Sequence, residues 1–275
     1  GDDSKPAEYK LSFSANGGTG EMESIAKEEN EKINLPAVKF SKTGFEFLNW
    51  NTSADGSGTT YADGAEFTFN SDTMLHAQWT VAAENAVNAI NSLPAGEHKI
   101  AVTGEMTKDN LNDLMAAIKD NSTGAKVYLD LGGITIDFYD WQKCKFADCE
   151  NLIGIVIPGI ESPDKDNPII LIPDLMFEGC RNLKSVIILN SSGEYKIITF
   201  KNCTSLEYVE IPTSIVCIYG DAFDGCTALE TITYNGSVEQ WKQVKTDYKD
   251  SKYKLMSLKV QCENGTASGS DLTEE

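Results

Sequence analysis

Four times between Phe146 and Gly236 the chain writes the same apolar frame, Phe-x-x-Cys-x-x-Leu-x-x-Val/Ile-x-Ile/Leu/Tyr, starting at Phe146, Phe177, Phe200 and Phe223. The starts lie 31, 23 and 23 residues apart. A repeat of that length is one coil, too small to bury a core by itself, so the coils must stack and share one. The expected result is a solenoid in which equivalent side chains lie over one another. In the frame from Leu206 to Ile211, strand alternation turns Leu206, Val209 and Ile211 inward and leaves Tyr208 and Glu210 outside. The same phase places Leu183, Val186 and Ile188, then Leu229 and Ile232, inside. Each Phe is expected to open a turn of helix or loop on the opposite side, and Pro158, Pro173 and Pro212 fall just past strands, where no ladder donor is lost. The first interval is longer because residues 161–168 are inserted. An insertion maps to a loop on one face, and its Asp164 and Asp166 read as a solvated pair, at most a weak cation site.

All seven cysteines lie at or after Cys144, and four of them, Cys149, Cys180, Cys203 and Cys226, share one frame position. Coils stacked roughly 4.8 Å apart hold such residues too far apart at Cβ for an easy disulfide. The outer two, roughly 14 Å apart, cannot close on one zinc ion. The expectation is a buried ladder of thiols packing as small hydrophobes, with Cys144 and Cys217 off it.

At 275 residues the chain is longer than one ordinary domain, and the frames fill only its later part. Residues 1–8 read as a disordered polar leader. From 9 to 80 short alternating strands are broken by Gly-rich turns, with Trp50 and Trp79 on inward phases. Residues 81–95 read as a helical linker, with Ala83, Val87 and Ile90 at helical spacing and Pro94 as the stop. The unit from 96 to 265 divides into a first part (96–136), coils (137–236) and a closing part (237–265). The first part reads as a strand, a helix beginning at the N-cap Thr107 with Leu111, Leu114, Met115 and Ile118 on one face, and a second strand at 125–131. The closing part holds a short helix with Trp241 on its apolar side and a last strand from Val260. Residues 266–275, small and acidic, read as a flexible tail.

Two resemblances rest on these residues. Phe13, Asn16-Gly17-Gly18, Leu35-Pro36, Thr43-Gly44-Phe45, Trp50, Tyr61 and the closing Leu75-x-Ala77-x-Trp79 closely resemble the Listeria-Bacteroides repeat of bacterial surface proteins. That resemblance implies a compact β-grasp-like module, often a stalk or spacer in exported proteins. The four frames, with Glu210-Ile211-Pro212 and the run from Ile218 to Phe223, look like BspA-type leucine-rich repeats over roughly Val127 to Gly265. The second frame departs from the pattern by ending in Leu189 rather than Pro. The fold class expected is mainly β with some α: a small β-grasp-like domain followed by a leucine-rich repeat solenoid with a helical N-terminal cap. The resemblance also implies an extracellular protein of a bacterial cell surface, its export signal or lipid anchor removed, whose partner is a protein, either host extracellular matrix or another bacterial surface protein.

A formal charge of −19 argues against nucleic acid and anionic membrane surfaces, since both need clustered Lys and Arg. No apolar run approaches the roughly 18 residues of a spanning helix, so direct membrane insertion is not expected. The two histidines, His76 and His98, sit at a variable strand position and beside a turn, which gives a nucleophile no base. No phosphate loop, paired Cys-x-x-Cys or His-Glu-x-x-His motif appears. Asn51-x-Ser53-x-Asp55-Gly56 resembles the start of a calcium loop, but Ala62 stands where the bidentate Glu belongs, which leaves a hairpin. No catalytic residue, metal or cofactor is expected. The remaining feature is the outer strand surface, with Gly154, Ser185, Tyr208 and Thr231 in one row and Val156, Ile187, Glu210 and Thr233 in the next. Val156, Ile187, Tyr208, Glu210, Thr231 and Thr233 are the candidate protein-binding residues, since an exposed apolar patch beside a Tyr marks partner surfaces. Adhesion through this face is the first reading, a purely structural spacer the second, and a surface hydrolase the third.

Overall fold

A computed structural model of the chain describes residues 6–137, 141, 144–162, 169–172, 176–197, 200–247, 249–250 and 252–274. Strand is the dominant element. Two compact units divide at residue 81, Gly1–Val81 and Ala82–Glu275. Most of the leader, most of the insertion including Asp164 and Asp166, and Pro173 lie outside the described residues.

In the first unit, β1 (Glu8–Ser14) pairs antiparallel with β2 (Ile25–Glu28). A short separate sheet joins β3 (Lys32–Asn34) to β6 (Glu66–Thr68). The strand β4 (Glu46–Asn51) pairs with β5 (Thr60–Tyr61) and, antiparallel, with β7 (Thr73–Ala82), which also runs parallel to β1. Trp50 is wholly buried, with the rings of Phe13, Phe40 and Phe47 at 5.2, 6.0 and 5.0 Å in tilted or edge-on contact. That geometry suits ring quadrupoles. Trp79 is also inside, its indole N–H donating to the Ala15 carbonyl at 2.9 Å. The calcium-like stretch holds its own hairpin together. The buried Asn51 side chain accepts from the amides of Ser53 and Gly58 and donates to the carbonyls of Gly56 and Gly58, while Asp55 accepts from Ser57.

The second unit opens with α1 (Ala86–Asn91), which carries Ala86, Ala89 and Ile90 on its buried side. The helix expected within residues 81–95 is thus present. A face that apolar is not left in water, and α1 packs on α2 (Lys108–Lys119). The flanking strands β8 (Gly96–Met106) and β9 (Ala125–Ile136) are parallel. Thr107 caps α2, its side chain accepting from the Asn110 amide, and Leu111, Leu114, Met115 and Ile118 are buried as their spacing predicts.

The frames then build two parallel sheets in step. One contains β10 (Leu152–Ile157), β12 (Ser185–Ile188), β14 (Tyr208–Ile211), β16 (Thr231–Tyr234) and β18 (Lys259–Cys262), following β9. The other contains β11 (Ile169–Leu171), β13 (Glu194–Ile197), β15 (Ile215–Ile218) and β17 (Lys245–Thr246). This second sheet stands where only helix or loop was expected. The β-branched run at Ile215–Ile218 and the alternation at Tyr195–Ile197 favour a ladder there, and Cys217 is buried in it. Between the sheets, Leu183, Val186, Ile188, Leu206, Val209, Ile211, Leu229 and Ile232 form the inward column.

The frame turns stack as closely as the strands. Phe146, Phe177, Phe200 and Phe223 lie ring on ring, with centroids 5.5, 5.3 and 5.7 Å apart and planes within 11°. Beside them Cys180, Cys203 and Cys226 each donate a thiol hydrogen bond to the carbonyl of the previous coil's Phe, with Sγ–O distances of 3.1, 3.0 and 2.9 Å. The thiols therefore tie coil to coil as well as fill space. Two residues after each Phe the backbone turns left-handed, at Asp148 (φ 56°), Gly179 (72°), Asn202 (63°) and Gly225 (77°). These residue types tolerate that conformation at least cost.

Two short helices, α3 (Val238–Trp241) and α4 (Lys254–Ser257), precede the end. The expected flexible tail is instead folded. β19 (Gly265–Ser268) pairs antiparallel with β18, and β20 (Thr273–Glu274) adds to β17. Buried Leu272 anchors it, the Trp241 indole donates to the Ser268 carbonyl at 2.9 Å, and a Cβ at Gly269 would fall 1.8 Å from the Leu255 carbonyl oxygen.

Candidate protein-binding face

The outer rows are in register. Gly154 pairs with Ser185 and Ser185 with Tyr208, while Val156 pairs with Ile187, Ile187 with Glu210, and Glu210 with Thr233. The rows extend onto the preceding strands, to Tyr128 and Lys99 in the first and to Asp130 in the second.

Tyr208 is the exposed centre of this surface, at 41%. Its hydroxyl donates to one Glu210 carboxylate oxygen at 2.7 Å, and Asn235 Nδ2 donates to the other at 2.8 Å. Desolvation, then the Glu210 carboxylate, pushes the Tyr208 hydroxyl up to about 12, so it stays a neutral donor. Thr231 is exposed, and Ile187, Glu210 and Thr233 are half-buried. Val156 differs from expectation, being only 8% exposed. Leu189, the residue in the place of a Pro, approaches the same point beside Gly132 as Val156 does. A Cβ at Gly132 would meet Leu189 Cδ1 at 3.0 Å and Val156 Cγ1 at 3.5 Å. The exposed apolar patch is thus reduced to Ile187 with Tyr208. Gly154 is covered too, because the Tyr128 ring lies over it: a Cβ there would stand 2.2 Å from Tyr128 Cδ2.

Tyr128 was not among the expected site residues. Its position in the alternating run 125–131 was the signal, but assigning that run to the capping part kept it off the face. The Lys99 ammonium sits 5.5 Å from its ring centroid, and burial, then the Asp130 carboxylate, raises its hydroxyl pKa.

This surface offers aromatic edges, hydroxyls and carboxylates and no nucleophile with a base. His98 is bonded to the Pro94 carbonyl at 2.9 Å, away from the rows. Among the described residues no three His, Cys, Asp or Glu side chains converge as a metal site. A cleft of about 210 Å³ between α2 and the first frame is floored by Met115, Phe146 and Cys149. Lys119 on its rim donates to the Ala147 carbonyl, and burial pushes the Cys149 thiol up, which leaves it un-ionised.

Residues 142–245 match the BspA type leucine rich repeat region in six copies, and residues 9–78 match the Listeria-Bacteroides repeat domain. The chain is a BspA-like leucine-rich repeat protein with an N-terminal Listeria-Bacteroides repeat. No curated protein and no solved structure matches it. Leucine-rich repeats generally mediate protein–protein interaction, and repeats of both kinds are typical of bacterial surface proteins and are typically non-catalytic. Among the described residues no helix is long and apolar enough to cross a membrane.

Proposed function

We propose that this BspA-like protein is a non-enzymatic adhesion protein, displayed on the bacterial surface or secreted, that binds a protein ligand through the outer strand face of its repeats. Host extracellular matrix and the surface proteins of other bacteria are the partner classes. On this reading the second unit is a leucine-rich repeat solenoid whose β8, α2 and β9, joined by α1, form a helical N-terminal cap, and the first unit is a β-grasp-like spacer. The observation that carries it is Tyr208: a large, 41% exposed aromatic on the strand face of the repeats, held in place by its hydrogen bond to Glu210. Exposed rigid aromatics of this kind are frequent anchors of protein interfaces.

Ile187→Asp and Tyr208→Ala on displayed protein test this directly. Both positions point away from the core, so far-ultraviolet circular dichroism should be unchanged while adhesion to immobilised matrix proteins or partner cells falls at least about tenfold, the usual cost of losing an anchor. Unaltered adhesion would assign the face no role and favour the spacer reading for the whole chain.

A further inference from the structure

The charges on the same face name the chemistry of the partner, an inference that rests on the adhesion reading. In the second row the order across four adjacent strands is Asp130, Val156, Ile187, Glu210. Two carboxylates therefore bracket an apolar pair. Three inter-strand steps of roughly 4.8 Å set the two acids about 14 Å apart, which an extended chain lying across the strands covers in about four residues. Both carboxylates are half-buried, which strengthens their attraction for a charge brought against them. Among the described residues the ion pairs are made elsewhere, as in Lys184 with Glu97 and Lys201 with Asp221. What holds the acids are neutral donors, the Gly132 amide for Asp130, and Tyr208 and Asn235 for Glu210. Such bonds orient a carboxylate and leave its charge uncompensated. The first-row cation nearest Asp130, Lys99, is turned onto the Tyr128 ring, and the one nearest Glu210, Lys259, stands two strands further on, beyond Thr231. The chain as a whole carries −19, which draws cationic partners toward it over long range.

We propose that the strand face recognises an extended cationic segment of a partner protein, with two Lys or Arg residues about four apart meeting Asp130 and Glu210, and small apolar side chains between them resting on Ile187 beside Tyr208.

The test uses the full chain and fluorescently labelled synthetic peptides. One carries two lysines about four residues apart around Val and Ala; a second has both lysines replaced by Glu, and a third keeps the composition with the lysines adjacent. Fluorescence anisotropy should show binding of the first, at least tenfold weaker binding of the third and none of the second. D130N and E210Q should each weaken the first peptide about tenfold, and the affinity should fall as salt is raised from low to physiological strength. Equal binding of the lysine and glutamate peptides, or no loss in D130N and E210Q, overturns the proposal. If cell adhesion is abolished by Tyr208→Ala while D130N and E210Q adhere normally, only the charge inference fails and the face stands. If Tyr208→Ala adheres normally as well, the adhesion reading falls with it.

Discussion

Asn202 shows how much one residue decides in a stacked coil. Its backbone is left-handed, and its side-chain oxygen points at the next coil, where a Cβ on Gly225 would stand 2.4 Å away. Asp148 and Gly179 repeat the arrangement, with a corresponding approach of 2.2 Å. Large and small left-handed residues therefore alternate along this edge. Asn202→Val should cost about 1–3 kcal/mol, since a β-branched residue at positive φ is strained, whereas Asn202→Gly should be nearly neutral in backbone terms. Denaturant midpoints compare the two, and equal losses would show that the side chain, not the backbone, matters there. The frame as first read left this position as x, although Asp, Gly, Asn and Gly occupy it in turn. That shared tolerance for positive φ was visible in the residues. What was not visible was that Val156 is buried, because that depends on how side chains of neighbouring strands pack around it.

At the scale of the element, the thiol ladder was legible as a column but not as a set of bonds. Equal spacing predicted the stacking, and the separation of stacked coils argued against disulfides along the ladder; all seven cysteines are buried and none is in a disulfide. The hydrogen bonds from Sγ to the preceding Phe carbonyl follow from how the turn presents its backbone, which spacing does not reveal. They imply a pH dependence. Burial raises the Cys180 thiol from 9.0 to about 12, so the unfolded chain loses that proton first. The contribution is complete below pH 9 and is lost as pH climbs towards 12, at on the order of 1.4 kcal/mol per unit. Urea midpoints from pH 8 to 11 should fall more steeply in the native sequence than in Cys180→Ala. Parallel slopes would show that the thiol is not proton-locked. The second sheet escaped the sequence reading because its outer strands are as short as Lys245–Thr246, and the repeated frame ends before β13 and β15, which therefore were read only as the turn or loop leading to the next Phe.

At the scale of the molecule, the division into two units and the order of elements could be read from where the frames begin and where the Gly-rich turns stop. The tail assignment missed the fold for one reason: a short segment with few apolar residues was taken as unpacked, yet Leu272 supplies an anchor that neighbouring elements complete. Two compact units with separate cores predict two transitions in calorimetry, and a protein reduced to residues 82–275 should keep the transition of the repeats. A single transition in the full chain, lost on that deletion, would mean that the cores melt as one. The turn-back of β19 against β18 carries a consequence for how such proteins change size over generations. Because the last parallel edge is occupied by a strand of opposite sense, a duplicated coil finds no docking place beyond it. Copied in the interior, a stretch of 23 residues from one Phe to the next meets matching neighbours on both sides, so reach is gained by expansion from within.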